Sequence, residues 1–415
     1  MLRQCVQQRF IVGLILIFLL TANAFSGSAQ AESGSDLALA AEGALLMDVD
    51  TGQILYAKNP DERFYPASTT KILTALIAIE RGHLDDRVKT SRLAATVDGS
   101  RIYLEEGEEE TLQDLLYALL LRSANDAAIA IAEHLAGSID NFAQIMNQRA
   151  AELGAKHSHF TNPHGLHDDN HYTTPRDLAL IAAAALKNPL FARIVSTQSY
   201  TMPWPVKNGT RELYNENRLL KSYEGATGVK TGYTPEAQQC LVASARRDGH
   251  HLVAVILKSD RPNLWRDAIR LLDYGFSAFT WQTLSEKGLT VTKAPVKYGD
   301  PVPLVLGQTL VQAYPKEKPG PITRELKLNA LTAPVKAGDL AGHMKIYYDN
   351  QEVAAVPLLA ATSSPRKFYT YWWFWPPVLY FPWRLLVAWR RYRRRQKRRF
   401  YRYSQRLSQR YRTYI

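Results

Sequence analysis

The 415-residue chain reads as an α/β body, then a small all-β domain, then a C-terminal membrane anchor. Three patterns predict this order. Five segments between residues 69 and 187 space their apolar residues at helical intervals. Two apolar runs, Gln239–Ala245 and His251–Leu257, are joined through Asp248-Gly249, a hairpin signal. Beyond residue 284 the texture changes to short alternating runs punctuated by Gly and Pro.

Taken from the N-terminus, Arg3 and Arg9 precede the apolar run Phe10–Leu20, and small residues including Ser28-Ala29-Gln30-Ala31 follow. This pattern predicts a signal peptide over residues 1–31, cleaved after Ala31, and hence an exported protein. Eleven apolar residues fall short of the roughly 20 that span a bilayer, although an uncleaved anchor is the competing reading. Cys5 would leave with the signal, so Cys240 would stand alone and no internal disulfide is expected.

The domain expected over 32–282 opens with a hairpin, 43–58, turning at Asp50-Thr51-Gly52. Helices are predicted over 69–81, 112–121, 126–136, 140–154 and 175–187, then the two strands, then a closing helix at 263–274. The β-rich domain, 283–362, contains Leu289–Thr292, Val302–Leu306 and Met344–Tyr348 as strands. Ala361–Lys367 reads as a polar linker into an aromatic anchor, assigned to 363–389.

Charge separates the tail from the body. Residues 366–415 hold 15 Lys and Arg and no acidic residue, leaving 36 basic against 39 acidic before them. Five of eight tryptophans, Trp372, Trp373, Trp375, Trp383 and Trp389, crowd into one short stretch, and the basic tail 390–415 follows. Trp and Tyr favour the bilayer interface because each has an apolar body and a polar tip. Residues 368–389 therefore either span, with Arg384 snorkelling and the tail on the cytosolic side, or lie in the outer interface because Pro376, Pro377 and Pro382 interrupt a helix. Spanning is the favoured geometry. Nucleic acid is not an expected partner, since the signal sends the body away from it.

Three short motifs carry the chemistry. Ser68-Thr69-Thr70-Lys71 opens a helix, which places the Lys71 amine within reach of the Ser68 hydroxyl. A neutral lysine there is a base for a serine nucleophile. Alone, the same residues describe an N-capping serine and a solvent-facing lysine. Ser123-Ala124-Asn125 falls in the break between two apolar helices and otherwise reads as an ordinary turn. Lys230-Thr231-Gly232 lies on a strand edge, where a substrate backbone could pair and a carboxylate could be held; otherwise it is a solvated strand end.

In this order the motifs are the signature of penicillin-binding proteins and serine β-lactamases. The run Asp114–Ala128, together with Phe160–His167 and Val229–Tyr233, closely resembles the low-molecular-mass D-alanyl-D-alanine carboxypeptidases. The likeness covers residues 42 to about 280 and extends more weakly over Ala333–Lys336 and Ala341-Gly342. It implies a penicillin-binding fold: an antiparallel sheet packed with helices, plus a helical subdomain carrying Ser123 and Asn125.

The resemblance further implies that Ser68 is the acyl-ester nucleophile, Lys71 its general base and Ser123 a proton relay. It places substrate on Asn125, Lys230, Thr231, Gly232 and Tyr233, with the backbone N–H groups of Ser68 and Tyr233 as the oxyanion donors. The expected substrate is a peptidoglycan stem peptide ending in D-Ala-D-Ala. β-Lactam antibiotics are expected to acylate Ser68, and no cofactor is expected. A membrane-tethered β-lactamase and a non-catalytic cell-wall-binding protein are the alternatives. His157, His159, His164, His167 and His171 cluster within fifteen residues, but no metal-binding motif accompanies them, and no metal is expected.

Overall fold

A computed structural model describes residues 37–317 and 320–412. The expected signal peptide and Cys5 lie outside the described residues. The chain divides into two compact units, one ending at Gln282 and taking back the segment from Val311, the other holding Thr283–Leu310 and the chain from Gly320 on.

The first unit is built on a five-stranded antiparallel sheet. Its strands are β1 (Gly43–Asp48), β2 (Ile54–Lys58), β3 (Ala226–Thr234), β4 (Gln238–Arg247) and β5 (His250–Ser259), in the spatial order β2-β1-β5-β4-β3. Both faces are covered, which explains why β5 reads as a continuous apolar run rather than an alternation. Val253, Val255 and Leu257 point into the larger helical core, while Leu252, Ala254 and Ile256 pack with the helix Leu264–Ala278. Strand β3, which carries Lys230-Thr231-Gly232, is an edge strand.

At the centre of the larger core lies helix α1 (Lys71–Arg81), buried without interruption from Lys71 to Ala78. An all-round apolar helix belongs in a core. A short 3-10 turn, Ala67–Thr70, feeds it, so Ser68 lies in that turn rather than in the helix proper. Helices α2 (Leu112–Leu121) and α3 (Asn125–Ala136) meet at Ser123-Ala124, as their sequence spacing predicts. The remaining helices, Ile139–Glu152 and Pro175–Leu186, start at Ser138 and Thr174 caps whose side chains accept N–H bonds three residues on. Helix Pro189–Ser196 and the hairpin Ser199–Trp204/Gly209–Tyr214 join them without having been expected.

The second unit is a five-stranded antiparallel sheet whose central strands are Val302–Leu306, Gln351–Ala360 and Leu340–Tyr348. The expected linker Ala361–Lys367 is instead part of this unit. Ser364 is buried and bridges Val335, its hydroxyl accepts the Asp300 N–H at 2.8 Å, and Lys367 pairs with Asp300 at 2.6 Å. The prolines do not stop the helix that follows. Trp375–Arg412 runs through Pro382, with Pro376 and Pro377 in its first turn, where missing N–H groups cost nothing. Among the described residues no single helix is long and apolar enough to cross a membrane, so the favoured spanning geometry is not supported.

Candidate active site

The site is assembled where the turn before α1, the α2–α3 break and strand β3 converge. Lys71 is fully buried, and its Nζ lies 2.9 Å from Ser68 Oγ, 2.7 Å from Asn125 Oδ1 and 2.6 Å from the His164 carbonyl oxygen. The Asn125 amide donates from Nδ2 to the Asp98 carbonyl at 2.7 Å, which fixes Oδ1 as the atom facing Lys71. Two of the three contacts are therefore pure acceptors. A neutral amine has two N–H donors and one lone pair. With both donors spent on Asn125 and His164, the lone pair is left for the Ser68 O–H.

The electrostatics favour that neutral state. Burial and then the charge of Lys230 hold Lys71 well below the usual lysine range. Lys230, also fully buried, is pulled down to about 8, chiefly by burial, with Glu216 opposing and Arg122 adding to the shift. The solvated strand end considered for Lys230 is thus overturned. Its ammonium donates to the Thr231 carbonyl at 3.1 Å.

Strand β3 lies against the turn that carries Ser68. A Cβ at Gly232 would stand 3.0 Å from the Ser68 nitrogen and 3.1 Å from the Pro66 carbonyl oxygen, so any side chain there would push the Ser68 turn away by a few tenths of an ångström. Among the described residues the Ser68 amide donates to no acceptor. Tyr233 follows with an exposed side chain. Thr231 Oγ1 donates to Glu216 Oε2 at 3.3 Å. Ser123 is buried at a backbone φ of 60°, and no hydrogen bond joins its hydroxyl to either amine among the described residues.

Sequence reasoning placed none of the segment 161–171 in the site, having weighed its histidines only as metal ligands. The segment forms the floor. Besides the His164 carbonyl, Pro163 accepts the Thr74 hydroxyl at 2.6 Å. His171 Nδ1 accepts the Thr161 N–H at 3.1 Å, which leaves its Nε2–H to donate to Thr70 Oγ1 at 2.8 Å. Thr70 in turn donates to the Ala67 carbonyl at 2.8 Å, one residue before Ser68. Burial keeps both rings neutral, with His164 and His171 each pulled down to about 3. Among the described residues no group of three or more His, Cys, Asp or Glu could hold a metal ion.

Residues 28–261 match the family model described as D-alanyl-D-alanine carboxypeptidase, and residues 279–366 match the penicillin-binding protein 5 C-terminal domain. The D-alanyl-D-alanine carboxypeptidase DacF of Bacillus subtilis is 36% identical over 370 residues, covering 85% of this chain and 93% of its own. DacD of Escherichia coli is 32% identical over 336 residues, 77% of this chain and 85% of its own. Among solved structures, penicillin binding protein 5 of Haemophilus influenzae matches with a TM-score of 0.70 at 30% identity, covering 79% of this chain and 98% of that one. With the sheet, the helical core and the β-rich domain all accounted for, the chain belongs to the serine D-alanyl-D-alanine carboxypeptidase family and carries its penicillin-binding fold.

Proposed function

We propose that this chain removes the terminal D-alanine of peptidoglycan stem peptides through an acyl-enzyme on Ser68. The observation that carries the reading is the buried Lys71 amine, whose remaining lone pair faces Ser68 Oγ at 2.9 Å. Lys71 takes the Ser68 proton as the oxygen attacks the penultimate D-Ala carbonyl, and the C–N bond to the last D-Ala then breaks. The backbone N–H groups of Ser68 and Tyr233 stabilise the oxyanion, each such donor being worth about 3 kcal/mol. Ser123 relays a proton to the leaving amine. Asn125 orients both Lys71 and the substrate amide, and the substrate backbone pairs along the β3 edge beside Gly232. Lys230 and Thr231 hold the terminal carboxylate. Water then hydrolyses the ester.

The domain division proposed is a catalytic domain over 32–282 behind a signal peptide, 1–31, and a β-domain over 283–362. The anchor comprises 363–389, with 390–415 as its basic tail. Trp372, Trp373, Trp375, Trp383 and Trp389 are all about half-exposed or more, and the basic side chains from Arg390 to Arg402 face solvent. This favours an interfacial attachment at the outer face of the cytoplasmic membrane, with aromatic rings in the headgroup region and cations on anionic lipid.

Peptide mapping by mass spectrometry after penicillin treatment tests the chemistry. A persistent penicilloyl adduct on Ser68, with D-alanine release abolished by Ser68→Ala, is expected. Rapid turnover of the label would point to a β-lactamase instead, and no release of D-alanine to a wall-binding protein.

A further inference from the structure

Helix α2 ends at Leu121, immediately before Arg122 and the Ser123 turn, and the Leu121 carbonyl accepts the Glu216 N–H at 3.2 Å. That bond sets Arg122 and Glu216 side by side at the rim of the site. One oxygen of the Glu216 carboxylate accepts the Thr231 hydroxyl at 3.3 Å, and the other lies 3.9 Å from Arg122 Nη1. A carboxylate from the protein thus already sits between a threonine hydroxyl and a guanidinium, with the buried Lys230 ammonium close enough to feel both charges.

We propose that Arg122 is a specificity-determining residue that takes the substrate's terminal carboxylate, and that Glu216 stands in for that carboxylate in the free enzyme. The inference rests on the assignment of Lys230 and Thr231 to the carboxylate end of the site.

Two carboxylates cannot share one hydroxyl and one cation without repulsion, so an arriving substrate displaces Glu216. Displacement is cheap. Both Glu216 contacts are longer than the best hydrogen bonds, and both side chains are more than a third exposed, so each has room to move. Once released, Arg122 offers a planar two-pronged donor that the point charge of Lys230 cannot supply. A substrate ending in an amide would bring no charge to expel Glu216 and nothing for Arg122 to bind.

The test compares hydrolysis of one peptide ending in free D-alanine with the same peptide ending in D-alanine amide. It is run at pH 6, where Lys230, at about 8, stays charged. Arg122→Gln is expected to lower kcat/KM for the free acid about tenfold, through KM, while changing the amide less than about twofold. Glu216→Gln is expected to lower KM for the acid by roughly threefold, because the competing carboxylate is gone. Penicillin labelling of Ser68 and thermal melting report that each variant is folded. Equal losses on both peptides, no loss in Arg122→Gln, or a raised KM in Glu216→Gln would overturn the inference while Ser68 labelling stays intact. Absence of the Ser68 adduct in the unsubstituted enzyme would instead overturn the site assignment, and this inference with it.

Discussion

A methyl group on Gly165 would come within 1.8 Å of the Ala67 carbonyl oxygen. Ala67 itself has a φ of 46°, a conformation unfavourable for any residue with a Cβ, and it precedes Ser68. The surroundings hold it there. Gly165 abuts its carbonyl, and the His171–Thr70 chain ends on the same oxygen. Strain of about 1–3 kcal/mol persists only where neighbours over-determine it. Gly165→Ala meets both a backbone collision and a positive φ of its own (86°), so the Ser68 turn must shift. The expected result is a fall of about a hundredfold in the rate of penicillin acylation, the scale of a 1 Å misplacement. Unchanged acylation would show that the turn does not depend on this contact.

The proposed mechanism needs one buried amine neutral and the other charged, and this predicts a bell-shaped pH profile. As the proposed base, Lys71 must be neutral to accept a proton, and burial with the nearby charge of Lys230 shifts it in that direction, well below the usual lysine range. Lys230 must be charged to hold a carboxylate, and it loses its proton near 8. Hence kcat/KM should rise as Lys71 deprotonates and fall through about pH 8. Lys230→Arg, which cannot deprotonate there, should lose the alkaline limb whatever its absolute rate. A profile flat from pH 7 to 10 would contradict the charge assignment.

His164 and His171 predict how the fold responds to acid. Each is pulled to about 3 by burial from an ordinary 6.5. Between those values the unfolded chain binds a proton that the folded ring refuses, so stability falls as pH drops from 6.5 toward 3. Each ring contributes a slope of at most about 1.4 kcal/mol per pH unit. His171→Gln removes one of the two, so its denaturation free energy should decline less steeply between pH 5.5 and 4 by about 1 kcal/mol per unit. An identical slope in the variant would mean that the ring is protonated in the folded state.

A buried charge cluster ties the unanticipated hairpin to the loop that feeds the active site. Arg211 is almost fully buried, with one nitrogen 2.6 Å from Glu108, another donating to the Tyr103 carbonyl at 3.2 Å, and Nε donating to Ile102 at 3.0 Å. The Ile102 and Leu104 amides in turn bond to Asp126, the neighbour of Asn125. Burial, reinforced by Glu108, raises the Glu110 carboxyl to about 7. Removing one partner of a buried pair leaves an uncompensated charge. Arg211→Met is therefore expected to cost about 3–5 kcal/mol in chemical denaturation, whereas a loss below about 1 kcal/mol would class the cluster with surface pairs.

What the sequence could reveal divides along the range of the interactions. Helix α2 and the break at Ser123-Ala124 follow from apolar spacing and local turn chemistry, which act over a few residues. Ser68, Lys71 and Asn125 come together as their motifs imply. The partners that complete the site are separated from it by long stretches of chain. The His164 carbonyl, 93 residues from Lys71, acts through its backbone, and no side-chain pattern marks a backbone acceptor. Glu216 reads as one more polar residue before β3 until folding sets it beside Thr231. The hairpin Ser199–Tyr214 escaped notice although Tyr200, Met202 and Trp204 alternate with Ser199, Thr201 and Pro203, because a proline inside so short a run argues against a strand. In the tail, composition misled. The prolines fall in a first helical turn and inside a solvent-exposed helix, where they are tolerated.

Testing the proposed division into catalyst and tether requires a cut in the right place. Truncation before Arg366 would remove Lys367, which pairs with Asp300, and Arg366, whose guanidinium donates to the Thr370 carbonyl at 3.0 Å and lies over the Tyr298 ring. A chain ending at Tyr371 keeps these contacts and loses Trp372, Trp373, Trp375, Trp383, Trp389 and all the cations from Arg384 on. Each basic residue near an anionic surface contributes about 1 kcal/mol, and that attraction is screened by salt. The full chain should therefore co-sediment with vesicles containing anionic lipid, less so at high salt, and the chain ending at Tyr371 should stay in solution at every salt concentration. Hydrolysis of a soluble pentapeptide should agree between the two within about twofold, because binding a small substrate draws on the Ser68 site alone. If the shortened enzyme still sedimented with vesicles, the attachment would have to lie elsewhere on the chain. Loss of pentapeptide hydrolysis would mean that the tail contributes to the chemistry rather than to its location.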